Sequence, residues 1–527
     1  MAAQASDIAK WSAVTQGVDV RWNVSLAWVL VTGLVIVGCS GPGAEPTPSV
    51  VPSGPDEPVP TESAEAGEGA VTVDFVHGDV PLKLVVHPVE RLSETALLTI
   101  DWTVGADSPR TEPVHITQLM GDPIRNNYMG SLRLVDLDDS WVSWPVLESG
   151  QVASSYLVSA RPGETVTSEA VFAIPPGETV DVLLPHFGVI EGVPVVDAGP
   201  GTSDPEELGV SPGEVLPSAP LESFIVAFDD SSTASVEGEE TTVALASDVL
   251  FATDEYELTP EAESRVDEVA GRIQEVAREG EVAVVGHTDD VASEAYNLEL
   301  SVKRAESVAV RLGPALGSDF TVTTEGRGES EPVAEGTSSE ARAANRRVEI
   351  RFAAVTSGSP VDVSSAPVPD TDGVVGSGHE TVEVEQDDQR YEVAVRRVEA
   401  RSGYLIGTVE VVRRSETGAV RTLFLASGWE SLFSRGYGNV TTVAGAASVR
   451  LAGQGSWVYP VDYQVETTEH GYVRRSVLAD RVIRDPFGEA DMPATVTVVW
   501  PDTGQDVVTV DVAGRFRITD VPVEGRS

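Results

Sequence analysis

The stretch Glu281–Ala305, EVAVVGHTDDVASEAYNLELSVKRA, decides how this chain is read. It opens on EVAVVG, a short apolar run that reads as a buried strand. The sequence then turns polar through Gly286-His-Thr-Asp289. An apolar period returns with Leu300, Ala305, Val308, Ala309 and Leu312, which share one side of a helix predicted over about residues 293–312. Strand, loop and helix in that order put Asp289 just past a buried strand and Arg304 inside the next helix. One acid and one guanidinium can then meet at a single rim.

Upstream, Thr259-Pro260 predicts a helix start, with Thr as N-cap and Pro at the first helical position. Ala262, Val266, Val269, Ala270, Ile273, Val276 and Ala277 fall on one face of that helix, and Gly280 ends it. Downstream, strands are predicted at 320–324 and 347–352. Strand, helix, strand, helix, strand, strand is an α/β layer arrangement covering about residues 236–353.

Six motifs in this region carry a resemblance. They are Asp248-Val-Leu-Phe251, Leu258-Thr-Pro-Glu-Ala262, Gly286-His-Thr-Asp289, Tyr296-Asn297-x-x-Leu300-Ser301-x-x-Arg304-Ala305, Gly326-x-Gly328-Glu-Ser330-x-Pro332 and Asn345-Arg-Arg-Val-Glu-Ile350. In that order they resemble the C-terminal domain of the OmpA family, a βαβαββ domain that binds peptidoglycan without cleaving it. The resemblance implies that Asp289 and Arg304 grip the free end of meso-diaminopimelate in the stem peptide. That end carries an ammonium and a carboxylate. Arg suits the carboxylate because its planar fork engages both oxygens, and Asp289 accepts from the ammonium. Thr288, Asn297 and the run Asn345, Arg346, Arg347 are implied to line the pocket. Arg346 and Arg347 alternate along a strand, so only one faces it, and spacing does not say which.

Plainer roles are open to the same residues. Asp289 could cap the second helix or a turn, Arg304 could pair on the surface with Glu299 or Glu306, Asn297 could make a structural hydrogen bond, and His287 could shape the loop. One departure stands out, because the family usually has Gly where this chain has Ala292. If that position needs a positive φ, Ala costs about 1 kcal/mol there.

On either side lie two blocks, 70–196 and 380–527, made of short Val-, Leu-, Ile- and Thr-rich runs separated by turn residues. Examples are LKLVVHPV from Leu82 and YLIGTVEVVRR from Tyr404. No useful helical period appears, so both are expected to be all-β sandwiches resembling immunoglobulin-like modules. They read as copies of one another. Leu82–Glu90 matches Tyr391–Glu399, Ser140-Trp-Val142 recurs as Ser456-Trp-Val458, and Val-Pro-Val closes both. Pro-, Gly-, Ser- and Glu-rich stretches at 40–69, 197–235 and 354–379 read as linkers.

Residues 1–39 read as an export signal. Leu26–Gly38, LAWVLVTGLVIVG, follows Arg21 and is shorter than the roughly 20 residues of a bilayer span. It ends in Ile36-Val-Gly-Cys39, which resembles the lipobox of bacterial lipoproteins, with Cys39 as the lipidated residue. The mature chain is then expected in the cell envelope, extracytoplasmic and held to a membrane by its lipid.

The 527 residues carry 84 acidic and 35 basic side chains, a formal charge of -49. A polyanion of that size is repelled by nucleic acid and by anionic bilayer surfaces, so neither is the expected main partner. Cys39 is the only cysteine, which rules out an intramolecular disulfide and a Cys-based metal site. The seven histidines are scattered and no phosphate-cradling loop or nucleophile elbow is found. Asp136, Asp138 and Asp139 read as a solvated turn rather than a calcium loop. No cofactor, metal or catalytic residue is called for. The sequence thus points to a lipoprotein linking membrane to cell wall, with the β blocks as spacers or docking surfaces for another envelope component. Two other readings are an anchored adhesin or sensor, and a wall-remodelling enzyme whose site hides in a β block.

Overall fold

The computed structural model describes residues 69–120, 129–147, 149–238, 240–334, 336–353, 366–416, 421–424, 435, 446–467, 473–480 and 489–526. The proposed signal, Cys39 and the 40–69 tether, apart from Gly69, lie outside the described residues.

In the middle region three antiparallel strands come first: β1 (Glu222–Ala227), β2 (Ser232–Glu237) and β3 (Glu240–Ala246). Then follow α1 (Pro260–Val276), β4 (Gly280–His287), α2 (Glu294–Leu316), β5 (Phe320–Gly328), α3 (Ser339–Asn345) and β6 (Arg347–Ala353). The sheet order is β5-β4-β6-β3-β2-β1, with β4 and β5 parallel and β6 antiparallel to both β4 and β3. Thr259 caps α1 by accepting from the Ala262 amide at 3.1 Å, and Ser293 caps α2 by accepting from Tyr296 at 3.3 Å. Asp289 is therefore not the cap of α2. That helix runs past the expected Leu312 to Leu316 and stops where Gly317 takes φ 89°.

Helices α1 and α2 bury Val266, Ile273, Val308 and Leu312 against Val243, Val282, Val284 and Ile350 of the sheet. Two glycines let α2 come close. A Cβ on Gly286 would lie 2.1 Å from the Ser301 carbonyl oxygen, and one on Gly326 would lie 2.6 Å from Ser301 Oγ. This close approach fixes the end of β4 against the helix that carries Arg304.

The segment 197–235, expected as a linker, differs from that reading. It contains a 3-10 helix at Pro205–Leu208, a strand at Ser218–Pro220, all of β1 and the start of β2. Its apolar run Leu221–Phe228 is buried, or nearly so at Phe228, because both flanking blocks pair with it. Ser218–Pro220 adds to Trp141–Ser143 of the N-terminal block, with Pro220 opposite Trp141. β1 adds to Ser456–Val458 of the C-terminal block, with Val226 opposite Trp457. The middle sheet thus continues without a break into the C-terminal block, forming 13 strands in all.

The two β blocks share one strand order. In the N-terminal block, Val71–His77, Val80–Val86, Ala96–Val104 and Thr165–Phe172 are successive antiparallel neighbours. Val382–Gln386, Gln389–Arg401, Tyr404–Arg413 and Pro493–Pro501 repeat that order. The second ribbons also match. Gly188–Asp197, Thr179–Leu184, Arg133–Asp136 and Trp141–Ser143 correspond to Phe516–Pro522, Val507–Val512, Arg450–Ala452 and Ser456–Val458. The blocks also bury apolar side chains against each other. Val142, Trp144 and Leu183 pack with Tyr404, Val461, Tyr463 and Val499. In the Asp136–Asp139 turn, the Asp136 carboxylate accepts from the Asp138 and Asp139 amides at 3.1 Å each, an Asx-type turn.

Candidate binding site

The site is built at the C-terminal ends of β3 and β4, where α2 passes close behind. Ser301 Oγ, at the turn of α2 facing Gly286 and Gly326, accepts from the Gly328 amide at 3.0 Å and donates to the Leu298 carbonyl at 2.8 Å. The Thr288 amide donates to the Gly328 carbonyl at 2.9 Å. The loop carrying Asp289 is thereby tied to both the helix and β5.

Asp289 is mostly buried, its side chain 12% exposed. One carboxylate oxygen accepts from the Val291 amide at 3.1 Å and the other from Arg346 Nη1 at 2.8 Å. Arg346 also grips Asp248 with Nε and Nη2, at 2.9 and 2.6 Å. Asp248 first, then Asp289, holds the Arg346 guanidinium firmly protonated, and the same pairing keeps Asp248 below the usual carboxylate range. Arg304 is 5% exposed. Its Nε donates to the Glu255 carbonyl at 3.1 Å and its guanidinium stands 5.2 Å from the Phe251 ring centre. Burial pulls its pKa down, and Asp248 pulls it back up. Both Nη groups of Arg304 make no hydrogen bond among the described residues.

The expected pair is thus joined through a third residue. Asp289 contacts Arg346 directly, and Arg304 feels the same Asp248–Arg346 pair. The open question between the two arginines is answered by geometry. Arg346 turns to the Asp289 rim, whereas Arg347 goes to the opposite face of the sheet and pairs there with Glu349 at 2.6 Å. Its expected place in the pocket is therefore corrected, because side chains of successive strand residues point to opposite faces. Asn345 is also used up structurally. Its Oδ1 accepts from the Val333 and Ala334 amides at 2.8 and 3.0 Å, and its Nδ2 donates to the Ala334 carbonyl. Asn297 donates to the Asp289 carbonyl at 3.2 Å and to the Glu329 carboxylate. Thr288 is buried, and its hydroxyl has no partner among the described residues. The surface pair expected for Arg304 goes instead to Lys303, which meets Glu299 at 2.6 Å.

His287 lies on the back face with Arg347, 3.5 Å from Glu349. Burial depresses its pKa. Burial also pushes the Glu349 carboxyl up, but His287, Arg347 and Arg351 more than offset this and hold it well below the ordinary range. Ala292 has φ 85°, the left-handed conformation that Gly would adopt freely. Sequence reasoning missed the role of Asp248. Its motif was visible, but only tertiary structure brings it to Arg346.

A mixed sheet with two helices on one face, and a charged rim at the strand ends, defines an α/β binding domain. The OmpA family model matches residues 250–346. Outer membrane protein A of Bordetella avium is 39% identical over 110 residues, covering 21% of this chain and 56% of that protein. Outer membrane protein P5 of Haemophilus influenzae is 37% identical over 121 residues, 21% of this chain and 33% of its own length. The chain therefore spans a third to somewhat over half of these relatives. The YfiB protein of Escherichia coli (strain K12) is 32% identical over 111 residues, 20% of this chain and 68% of that protein. Among solved structures, the cell wall anchor of the T6SS from Pseudomonas aeruginosa is 38% identical, with a TM-score of 0.20, covering 22% of this chain and 82% of that one. Through its middle region the chain belongs to the OmpA family.

Proposed function

We propose that this protein is a non-enzymatic component of the cell envelope that holds peptidoglycan through its middle region. The observation that carries this reading is the open fork of Arg304 beside the Asp289–Arg346 pair. A diaminopimelate tip brings a carboxylate and an ammonium a few ångströms apart. The carboxylate docks on the unpartnered Nη groups of Arg304, and the ammonium on the Asp289 carboxylate. Arg346 and the Val291 amide hold the Asp289 carboxylate in place, so the site is pre-organised before the ligand arrives. No bond is made or broken.

In this reading Cys39 carries the lipid that fastens the chain to a membrane, and residues 40–69 are the tether. Thirty flexible residues span roughly 30 Å root-mean-square. The two β blocks are a duplicated pair of immunoglobulin-like sandwiches, a reading supported by their common strand order and their matching use of the 218–227 segment. They serve as a stiff spacer, or as a face for another envelope protein. Purified mature chain should co-sediment with sacculi containing diaminopimelate. Arg304→Ala and Asp289→Ala should each abolish pelleting while leaving the thermal midpoint near wild type. Unchanged pelleting in both refutes the assignment.

A further inference from the structure

A sizeable cavity lies away from Asp289 and Arg304. It is a cleft of about 660 Å³ on the opposite face of the middle sheet, between that sheet and Arg435 and Arg475 of the C-terminal block. Sheet register sets out its floor. Ser235 pairs with Phe224 on one side and Thr242 on the other, and Thr242 pairs with Arg351. Phe224, Ser235, Thr242 and Arg351 therefore form one row across four strands, roughly 14 Å long at the usual strand spacing. Thr233 lies beside Ser235 on the same face. The hydroxyls of Thr233, Ser235 and Thr242 are half-buried and make no hydrogen bond among the described residues.

A guanidinium stands at each end of the row. Arg435 lies 5.1 Å above the Phe224 ring. It and Arg475 are matched by two buried acids, Glu222 and Asp462. The other end is not matched in this way. Arg347, itself buried, and Arg351 share the single carboxylate of Glu349, with Glu331 only at 4.0 Å from Arg351. Glu240 also lies within electrostatic reach of Arg351, but Arg351 uses only Nε and Nη2 on Glu349, and its Nη1 makes no hydrogen bond among the described residues, so one donor remains for a ligand. Glu237 and Glu240 line the cleft one register row away, where they can accept hydrogen bonds from N–H or O–H groups.

We infer that this cleft binds a carboxylate-bearing saccharide. Its hydroxyls meet the Ser and Thr row and the acids beyond it, and its carboxylate meets the partly exposed Arg351 at the far end. Planar forks and hydroxyls at strand spacing suit a ligand with many hydrogen-bonding groups on a semi-rigid ring. The volume falls within the range of small-molecule sites and holds about two sugar rings. Arg346 of the peptide clamp also reaches this cleft, but Arg304 and Asp289 do not line it, so saccharide can be engaged whether or not Arg304 is occupied. The inference stands apart from the peptidoglycan reading, and the two are tested separately.

The test uses the full mature chain, titrated by calorimetry or ligand-observed NMR with three peptide-free sugars. These are the disaccharide of N-acetylglucosamine and N-acetylmuramic acid, the neutral chitobiose and a galacturonate dimer. A diaminopimelate-containing peptide is titrated in parallel. The expected result is binding of an acidic sugar, weaker by about tenfold for chitobiose. Arg351→Gln and the cavity-filling Ser235→Trp should each weaken acidic-sugar binding by about tenfold or more, with the thermal midpoint measured alongside and diaminopimelate-peptide binding kept. Preference for the muramic acid sugar assigns the cleft to wall glycan stripped of its stem peptide, whose lactyl carboxylate is free, and preference for galacturonate to another acidic polysaccharide. No binding of either acidic sugar, equal binding of chitobiose, or full binding by folded Ser235→Trp overturns the inference. Peptide binding in the same preparation shows whether the clamp reading fails with it.

Discussion

Arg346 and Arg347 are adjacent in sequence and do opposite things. Arg346 sits at the rim, 27% exposed, shared between Asp248 and Asp289. Arg347 is buried on the back face and neutralises Glu349 beside His287. The first is placed where a ligand can compete for its partners. The second is sealed where losing its partner leaves a charge in a low-dielectric setting. The same guanidinium chemistry thus serves recognition at Arg346 and structure at Arg347, and solvent access decides which.

The largest expected effect tests the buried member. Arg347→Ala should cost about 3 kcal/mol of stability or more, because Glu349 keeps only Arg351 against its desolvation. The pH dependence has a defined sign. The Glu349 carboxyl is held low in the folded state. Its stabilisation is therefore present above the unfolded carboxylate pKa of about 4.3 and is lost as pH falls from there toward the depressed folded value. Thermal midpoints across pH 2 to 7 should show wild type losing more stability on acidification than Glu349→Gln. Parallel curves would detach Glu349 from this role.

Gly286→Ala comes next. The added methyl meets the Ser301 carbonyl, so α2 must retreat from β4, at about 1–3 kcal/mol. Denaturant melts should show the loss, and sacculus pelleting should fall with it because Arg304 moves with the helix. Arg346→Ala sharpens the contrast from the exposed side. It should change the thermal midpoint by little, since ion pairs near the surface contribute about 1 kcal/mol or less. It should still weaken pelleting by about tenfold, as Asp289 loses its orientation. A midpoint loss as large as that of Arg347→Ala would erase the distinction between the two arginines. The smallest effect is a gain. Ala292→Gly should stabilise by up to about 1 kcal/mol by relieving the positive φ, offset in part by unfolded-state entropy.

Buried carboxylates elsewhere bear out the importance of partners. Asp480, on the C-terminal block, accepts from the Thr497 amide at 2.8 Å, and no cation reaches it among the described residues. Burial pushes its pKa up to about 7, the reverse of Glu349.

Much of the middle region was legible from local signals. Thr259-Pro260 gave the start of α1, and the apolar period gave both long helices to within a few residues. Ala292, where the resembled family usually has Gly, marked a position open to positive φ, and its φ is 85°. The linker reading of 197–235 went astray because its Pro- and Gly-rich start masked the apolar run from Leu221 to Phe228. A strand that completes two sheets from different blocks has no local signature beyond that run. Asp248 was similarly silent, since nothing in its own stretch reveals that Arg346 will reach it.

The sequence by itself determined the helices, their caps, the acid and the arginine on one strand–loop–helix turn, and the family to which that turn belongs. These follow from interactions between residues close in the chain. Only the tertiary structure decided which of two neighbouring arginines serves the rim, that Asp289 is paired through Arg346, and that three blocks join into shared sheets. Those outcomes depend on strand pairing and on the burial of charge across long separations, where register and solvent exclusion, rather than local propensity, set the free energy.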